Sequence, residues 1–265
     1  EGAAVYDAQG RMFIYRAWSP EGPVWNTINS MLTSARRHLD GVEPTFDSSD
    51  RGAFKAYYFG LHRGSQKLPM MSLYHRKHEE LVKTLQHELR AVREVISGIF
   101  KLNFPSLYHR YCSIADFVAE KLPDCNAAFY PFASFAFNVG RVVTAKHKDH
   151  QNLIAGLCMI IPFGTFDYRT CCRFVVVELG LEFEVAAGVP IFIPSAMYTH
   201  YNTALAAIGV RESFVAWTGA AVAQWVDLGG RAVNELSKAE KADYLRNLAM
   251  CLADGLALFP RAQDS

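Results

Sequence analysis

Several sequence features are missing from this 265-residue chain, and each absence argues against a class of protein. No apolar run reaches about 18 residues, so the sequence predicts no transmembrane helix. The chain shows no secretory signal, and its six cysteines form no C-x-x-C pair, which argues against a disulfide or zinc framework. There is no internal repeat. These absences predict a reduced intracellular protein with no membrane partner.

The chain also lacks an excess of charge of one sign. The chain has 27 Lys and Arg against 26 Asp and Glu, a net charge of +1 that by itself indicates no particular partner. The distribution is uneven, because residues 51–101 contain 10 Lys and Arg against 4 Asp and Glu, with four His besides. This stretch predicts a basic face for an anionic partner, although the solvated surface of a helix explains it nearly as well.

The order of periodic patterns predicts an α+β fold in a single domain spanning residues 1–265. Apolar residues at helical spacing predict helices over 26–39, 74–100 and 106–121, so residues 1–125 are expected to be mainly helical. Eight short β-patterned runs between 126 and 220 predict a double-stranded β-helix, or jelly roll, as the core.

The flanking segments complete this prediction. Ser237 and Glu240 have the spacing of a capping box and predict a last helix over 236–258. Its apolar face, formed by Tyr244, Leu245, Leu248 and Leu252, is expected to point inward, so that helices from both ends buttress the core. Residues 1–25 are predicted to be irregular. Residues 41–67 are predicted to be a long loop around an aromatic segment, and such loops are usually functional or disordered.

The segment 145–152, A-K-H-K-D-H-Q-N, contains the first candidate site. On an extended strand His147 and Asp149 project from the same face, because residues i and i+2 share a side. An imidazole and a carboxylate at one spot are two members of a two-His-one-carboxylate site, which suits Fe(II) and leaves coordination positions open. His200 is the candidate third ligand. A surface strand with a stray histidine, together with a buried His200, is the competing interpretation.

The order of motifs beyond this segment resembles that of the Fe(II)/2-oxoglutarate-dependent dioxygenases. His-x-Asp is followed by the distal His200 and then by Arg211-Glu-Ser213, which opens an apolar strand. The resemblance implies that His147, Asp149 and His200 hold Fe(II), that Arg211 and Ser213 anchor 2-oxoglutarate, and that O2 is the second co-substrate. Asn138 and Arg141 are further candidates near the co-substrate, and a surface role explains Arg141 equally well.

Within these dioxygenases the chain resembles the TET/JBP group, which oxidises methylated bases in nucleic acid, and in particular its compact fungal and protist members. The likeness is strongest over 147–152 and covers roughly 130–220. It implies that Asn152 hydrogen-bonds a flipped base and that Trp217 stacks on it, although a buried core tryptophan is an equal interpretation of Trp217. Known members carry a cytosine-contacting histidine where this chain has Gly219, so that position leaves room for a larger methylated base.

The function expected from this resemblance is oxidation of the methyl group of 5-methylcytosine in DNA by base flipping, in a nuclear and monomeric protein. The nearest alternative is N6-methyladenine demethylation by the same machinery. A protein or small-molecule hydroxylase is more distant, since one fold can host all of these activities. A jelly-roll protein that binds methylated DNA without oxidising it is a different class, and the complete triad with Arg211 argues against it.

Overall fold

The computed structural model describes residues 2–17 and 22–262, and no helix in that part of the chain is long and apolar enough to cross a membrane. The helices are α1 (Pro23–Arg36), α2 (Leu73–Lys77), α3 (Glu79–Glu88), α4 (Arg90–Asn103), α5 (Pro105–Lys121), α6 (Ala220–Asp227) and α7 (Lys238–Ala257). The strands are β1 (Ala3–Tyr6), β2 (Met12–Arg16), β3 (Lys55–His62), β4 (Met70–Met71), β5 (Ser134–Val139), β6 (Cys158–Thr165), β7 (Phe174–Val176), β8 (Leu181–Phe183), β9 (Ile191–Ile193), β10 (His200–Asn202) and β11 (Val210–Trp217).

Two antiparallel sheets form the β part of the molecule. Eight strands make the main sheet in the order β1-β2-β9-β6-β11-β5-β3-β4, and a small sheet has the order β10-β7-β8. Strand β11 is central, because it pairs with β5 on one side and with β6 on the other. The predicted α+β fold with a jelly-roll core is confirmed.

One face of the main sheet packs against the helices. Phe100 of α4 stacks on Phe192 of β9, with ring centroids 5.6 Å apart. Phe192 pairs with Met159 of β6, which pairs in turn with Ala216 of β11, and paired residues share a face. All four residues belong to a single buried apolar cluster, so this face is the hydrophobic core between sheet and helices.

The opposite face of the main sheet is turned toward the small sheet. Because side chains alternate along a strand, Arg211, Ser213 and Trp217 lie on the face opposite Ala216. Arg211 donates a hydrogen bond to the side chain of Asn202 on β10, which shows that this face looks across at the small sheet. The candidate site therefore lies between the two sheets, and the helices lie on the far side of the main sheet.

Several local predictions were wrong. Residues 1–25 were expected to be irregular, yet β1 and β2 extend the main sheet, while residues 18–21 lie outside the described part. The expected loop over 41–67 contains the eight-residue strand β3, which pairs with β5 through six residues. The expected helix over 74–100 is divided, because the backbone leaves helical geometry at His78 and Leu89. A periodic apolar pattern predicts which face of a helix is buried, but it does not predict whether the helix is continuous.

The last helix was predicted correctly in position but not in packing. Ser237 Oγ accepts a hydrogen bond from the Glu240 backbone N–H, and the Glu240 side chain accepts one from the Ser237 N–H, as the capping box predicts. None of the 20 residues of α7, all of which the structure describes, is buried. Leu245 is 54% exposed and Leu248 is 44% exposed, so the expected inward face is only loosely covered.

Candidate metal centre and co-substrate site

The three residues proposed as metal ligands come together between the two sheets. His147 and His200 form an isolated bridge in which each backbone N–H donates to the carbonyl of the other, at 3.1 and 2.9 Å. The Asp149 N–H donates to the Ser195 carbonyl at 3.0 Å. The segment is not a regular strand. The backbone pairing nevertheless brings the side chains of His147 and Asp149 together, as a strand would.

The ligand atoms converge on one spot. Asp149 Oδ1 lies 3.8 Å from His147 Nε2, and Asp149 Oδ2 lies 3.9 Å from His200 Nε2. The imidazole centroids are 4.3 Å apart. In the described part of the chain, these three residues are the only His, Cys, Asp or Glu cluster with metal-binding geometry, and their ligand atoms all lie within 4.8 Å of one another.

Both imidazoles have the tautomer that a metal ligand needs. His147 Nδ1 lies 2.9 Å from the Ala145 carbonyl, and His200 Nδ1 lies 3.0 Å from the Tyr198 carbonyl. A carbonyl can only accept, so each Nδ1 carries the proton, and Nε2 is the ring nitrogen that is left to bind a metal in a neutral imidazole. Burial lowers the pKa of His200, which further favours the neutral, metal-binding form.

The two residues expected to anchor the co-substrate lie side by side on β11. Arg211 and Ser213 are almost fully buried, and Asn138 of β5 donates to Ser213 Oγ at 3.1 Å. Arg211 Nη1 donates to the Asn202 side chain at 3.3 Å and to the Val142 carbonyl at 3.4 Å. Among the described residues, no carboxylate lies within ion-pair distance of Arg211.

Two buried polar atoms in this group have no protein partner. They are Arg211 Nε, a donor, and Asn138 Oδ1, an acceptor. Burial lowers the pKa of Arg211 to about 10, so the guanidinium is still charged at neutral pH. A buried cation with a free donor is costly unless an anion completes it, and a ligand carboxylate would do so.

Arg141 is placed elsewhere. Its side chain is exposed, and its guanidinium donates to the carbonyls of Gly209 and Ala206 at 2.6 and 2.7 Å. These bonds hold the turn before β11 and give no support to a direct co-substrate role.

The residues expected to bind a base form a second group beside the triad. Asn152 pairs with Gly219 through an isolated bridge, and its Nδ2 donates to Ser195 Oγ at 3.0 Å. No described residue donates to its Oδ1, which leaves an acceptor free. Trp217 is half-buried and packs edge-on against Tyr58, with centroids 5.7 Å apart. A Cβ added at Gly219 would meet only the Gln151 carbonyl, at 3.8 Å.

Two site residues were missed by the sequence reasoning. Arg51 forms an ion pair with Asp149, with Nη1 3.0 Å from Oδ1. Tyr58 lies within electrostatic reach of Arg51 and Asp149, and burial raises the pKa of its phenol. Both residues lie in the segment 41–67, which was expected to be a long loop. The only indication in the sequence that this segment contributes to the site was that such loops are often functional.

The basic stretch 51–101 is divided by the fold. Arg51 and β3 lie at the main sheet beside the site, whereas α3 and α4 pack on the opposite face, with the core between them and the triad. Several of these cations are also paired locally, for example Lys83 with Glu79 and Glu80. A ligand bound at the triad therefore lies across the sheet from the cations of α3 and α4.

The fold is similar to that of NgTET1 in a structure in complex with 5mC DNA, with a TM-score of 0.61 and 16% identity over 82% of this chain and 76% of that chain. A Pseudomonas putida prolyl-4-hydroxylase aligns over 80% of this chain and 93% of that chain, with a TM-score of 0.38 and 9% identity. A viral collagen prolyl hydroxylase from Paramecium Bursaria Chlorella virus-1, in a 2OG complex, aligns over 80% of this chain and 98% of that chain, with a TM-score of 0.39 and 9% identity. No family model and no curated protein sequence matches the chain.

The NgTET1 similarity shows a shared fold and, at this identity, nothing about the substrate. The site itself fits Fe(II) and 2-oxoglutarate. Two neutral imidazoles and one carboxylate are the donor set of non-haem Fe(II) oxygenases, and Arg211 has a free donor for a carboxylate.

Proposed function

We propose that this protein is an Fe(II)- and 2-oxoglutarate-dependent dioxygenase that oxidises the methyl group of 5-methylcytosine in DNA. The observation that carries the proposal is the His147, Asp149 and His200 cluster facing the same space as a buried, incompletely bonded Arg211. A structural metal site would not require that cation, and a simple binding protein would require neither.

The protein positions the metal and the co-substrate and excludes water from the site. His147, Asp149 and His200 would hold the metal, which supplies the oxidising chemistry when it is bound together with 2-oxoglutarate and O2. Arg211 would take the far carboxylate of 2-oxoglutarate through a fork of charge-assisted hydrogen bonds, with Ser213 beside it. Asn138, which donates to Ser213 Oγ, would orient that hydroxyl group, and its own Oδ1, an acceptor, would be completed by a water molecule.

Three features of the base pocket support a nucleobase as the substrate. Trp217 offers an aromatic surface next to the triad, and Asn152 Oδ1 can accept a hydrogen bond from an exocyclic amino group, the N4 of cytosine or the N6 of adenine. Gly219 leaves open space beside Asn152. NgTET1, whose fold is similar, was solved in complex with 5mC DNA, and this makes 5-methylcytosine the first methylated base to test.

N6-methyladenine is the second candidate substrate, and Gly219 is the observation that favours it. A purine is larger than a pyrimidine, and no described side chain fills the space beside Gly219 within 4 Å of its added Cβ. The nuclear location and monomeric state stay predictions, as does DNA as the partner.

We expect the protein, supplied with Fe(II), 2-oxoglutarate and O2, to convert 5-methylcytosine in an oligonucleotide to its hydroxymethyl form and to release succinate. Digestion to nucleosides followed by mass spectrometry measures the base, and succinate is measured in the same reaction. Oligonucleotides carrying N6-methyladenine or no methyl group are the comparisons. Loss of N6-methyladenine alone would select the second candidate, and succinate without any base change would point to a protein or small-molecule hydroxylase.

Variants of the base pocket distinguish residues that set the affinity for DNA from residues that set the preference for one methylated base. We expect Trp217→Ala to weaken binding of every methylated oligonucleotide by roughly 5- to 150-fold, because stacking contributes about 1–3 kcal/mol per base and tolerates any base. Asn152→Ala should reduce turnover more than DNA binding. Gly219→His should shift the preference toward 5-methylcytosine by filling the open space.

Fluorescence anisotropy measures binding for these variants, and nucleoside mass spectrometry measures turnover. Tyr6→Ala is the control, because Tyr6 is an exposed aromatic residue on the edge strand β1. Equal losses for Trp217→Ala and Tyr6→Ala, or an unchanged base preference in Gly219→His, would show that the pocket lies elsewhere even if the metal site is right.

A further inference from the structure

Arg51 makes a contact with the triad that the proposed reaction does not use. Its Nη1 lies 3.0 Å from Asp149 Oδ1, and the two side chains are 37% and 13% exposed. The second carboxylate oxygen, Oδ2, lies 3.4 Å from Asn152 Nδ2. One oxygen of the metal-binding carboxylate is therefore held by a cation, while the other has only a long contact to an amide.

The main chain of Arg51 is held beside the metal site by its neighbours. Ser49 and Gly52 form a tight turn with two backbone hydrogen bonds of 3.1 and 3.0 Å, and the Arg51 N–H donates to Ser49 Oγ. The Arg51 carbonyl accepts from the Ala145 N–H at 2.7 Å, on the segment that leads to His147. At Gly52, which has φ +148°, an added Cβ would lie 2.5 Å from the Val143 carbonyl, so only glycine allows this approach.

We propose that Arg51 is a positioning residue for the metal site, which holds the Asp149 carboxylate in one rotamer through Oδ1 and leaves Oδ2 for the metal ion. A free carboxylate rotates about its last torsion, so either oxygen could face the metal and the ligand would lose entropy on binding. Hydrogen-bonded partners of metal ligands fix ligand orientation in this way, and removing one typically weakens metal affinity by about 10- to 100-fold.

On electrostatic grounds alone Arg51 would oppose metal binding, since a cation repels a divalent metal ion. The Arg51 side chain is more than one-third exposed, so solvent reduces this repulsion. The orienting effect acts through a direct contact and is not screened in the same way. The net effect of Arg51 is therefore expected to favour metal binding.

The test is a metal titration that involves neither co-substrate, oxygen nor DNA. Under anaerobic conditions, Co(II) is titrated into the apo forms of the native protein, Arg51→Met, Arg51→Lys and Lys146→Met, and the visible absorption band of bound Co(II) is followed. Lys146 is the charge control, because it is an exposed cation next to His147 that lies over the Tyr201 ring and makes no ion pair with Asp149. Circular dichroism and the thermal unfolding midpoint show whether each variant folds.

We expect Arg51→Met to bind Co(II) about 10- to 100-fold more weakly with an altered absorption band, Arg51→Lys to recover part of the loss, and Lys146→Met to bind like the native protein. Unchanged or tighter binding by a folded Arg51→Met protein would overturn the proposal and identify Arg51 as a competitor of the metal. The inference rests on the metal-binding part of the proposed function only. If the native protein binds Co(II) but oxidises no methylated base, the substrate proposal fails and the role of Arg51 is still decided by the titration.

Discussion

Replacing Asp149 with alanine is expected to abolish turnover and to remove high-affinity metal binding, while the protein stays folded. Asp149 is the only carboxylate of the cluster, so its loss removes the one negatively charged ligand that can offset the charge of Fe(II). The fold should survive because Asp149 lies in an irregular segment at the site and contributes no side chain to the apolar core. Succinate formation measures turnover, and anaerobic Co(II) titration measures metal binding.

His147→Ala should behave in the same way, since His147 is held mainly through its backbone bridge to His200. Asp50→Ala is the matched control, because Asp50 is an exposed carboxylate in the turn that carries Arg51. Near-native turnover in Asp149→Ala or in His147→Ala would refute the metal assignment, whatever the substrate proves to be.

Replacing Arg211 with alanine is expected to raise the 2-oxoglutarate concentration needed for half-maximal activity by roughly 10- to 150-fold. The figure corresponds to about 1.5–3 kcal/mol for a hydrogen bond to a charged group in a dry site. Arg211 is buried, has a pKa lowered to about 10 and is therefore still a cation in the assay, with a donor that no described residue uses. A titration of 2-oxoglutarate at saturating metal measures the change.

Two further variants sharpen this result. Arg211→Lys keeps the charge but loses the planar fork, so we expect an intermediate requirement. Arg141→Ala removes an exposed guanidinium that bonds to the Gly209 and Ala206 carbonyls, and its co-substrate requirement should stay close to native. If the requirement rises for Arg141→Ala and not for Arg211→Ala, the co-substrate anchor has been placed on the wrong arginine.

The parts of the site that could be predicted from sequence depend on short-range geometry. His147 and Asp149 are two residues apart, and Arg211, Ser213 and Trp217 alternate along one strand, so each set needs only the strand period to share a face. In the structure Arg211, Ser213 and Trp217 lie on one face of β11, and His147 and Asp149 converge although their segment is not a regular strand. His200 required the order of motifs, because its pairing with His147 spans 53 residues and no local rule supplies it.

Arg51 and Tyr58 could not be predicted in this way. Tyr58 points into the site because β3 pairs with β5 in a register that sets Tyr58 beside Ala136, and that pairing crosses almost 80 residues of chain. Arg51 depends on a turn held by the Ala145 backbone, which leaves no periodic trace in the sequence. The fold divides the basic stretch 51–101 between both sides of the main sheet, since composition does not say which side of the sheet a helix will cover, and its contact with an anionic partner stays a prediction.

The loose packing of α7 has a consequence for local stability. A helix with no buried residue gains little from tertiary contacts, and packing of one face supplies most of the stability of helices in proteins. Its amides should therefore exchange with solvent far faster than those of β5, β6 and β11, through a local opening that does not require the sheets to separate. We therefore expect the C-terminal helix to open without disturbing the metal site, which hydrogen exchange followed by mass spectrometry measures.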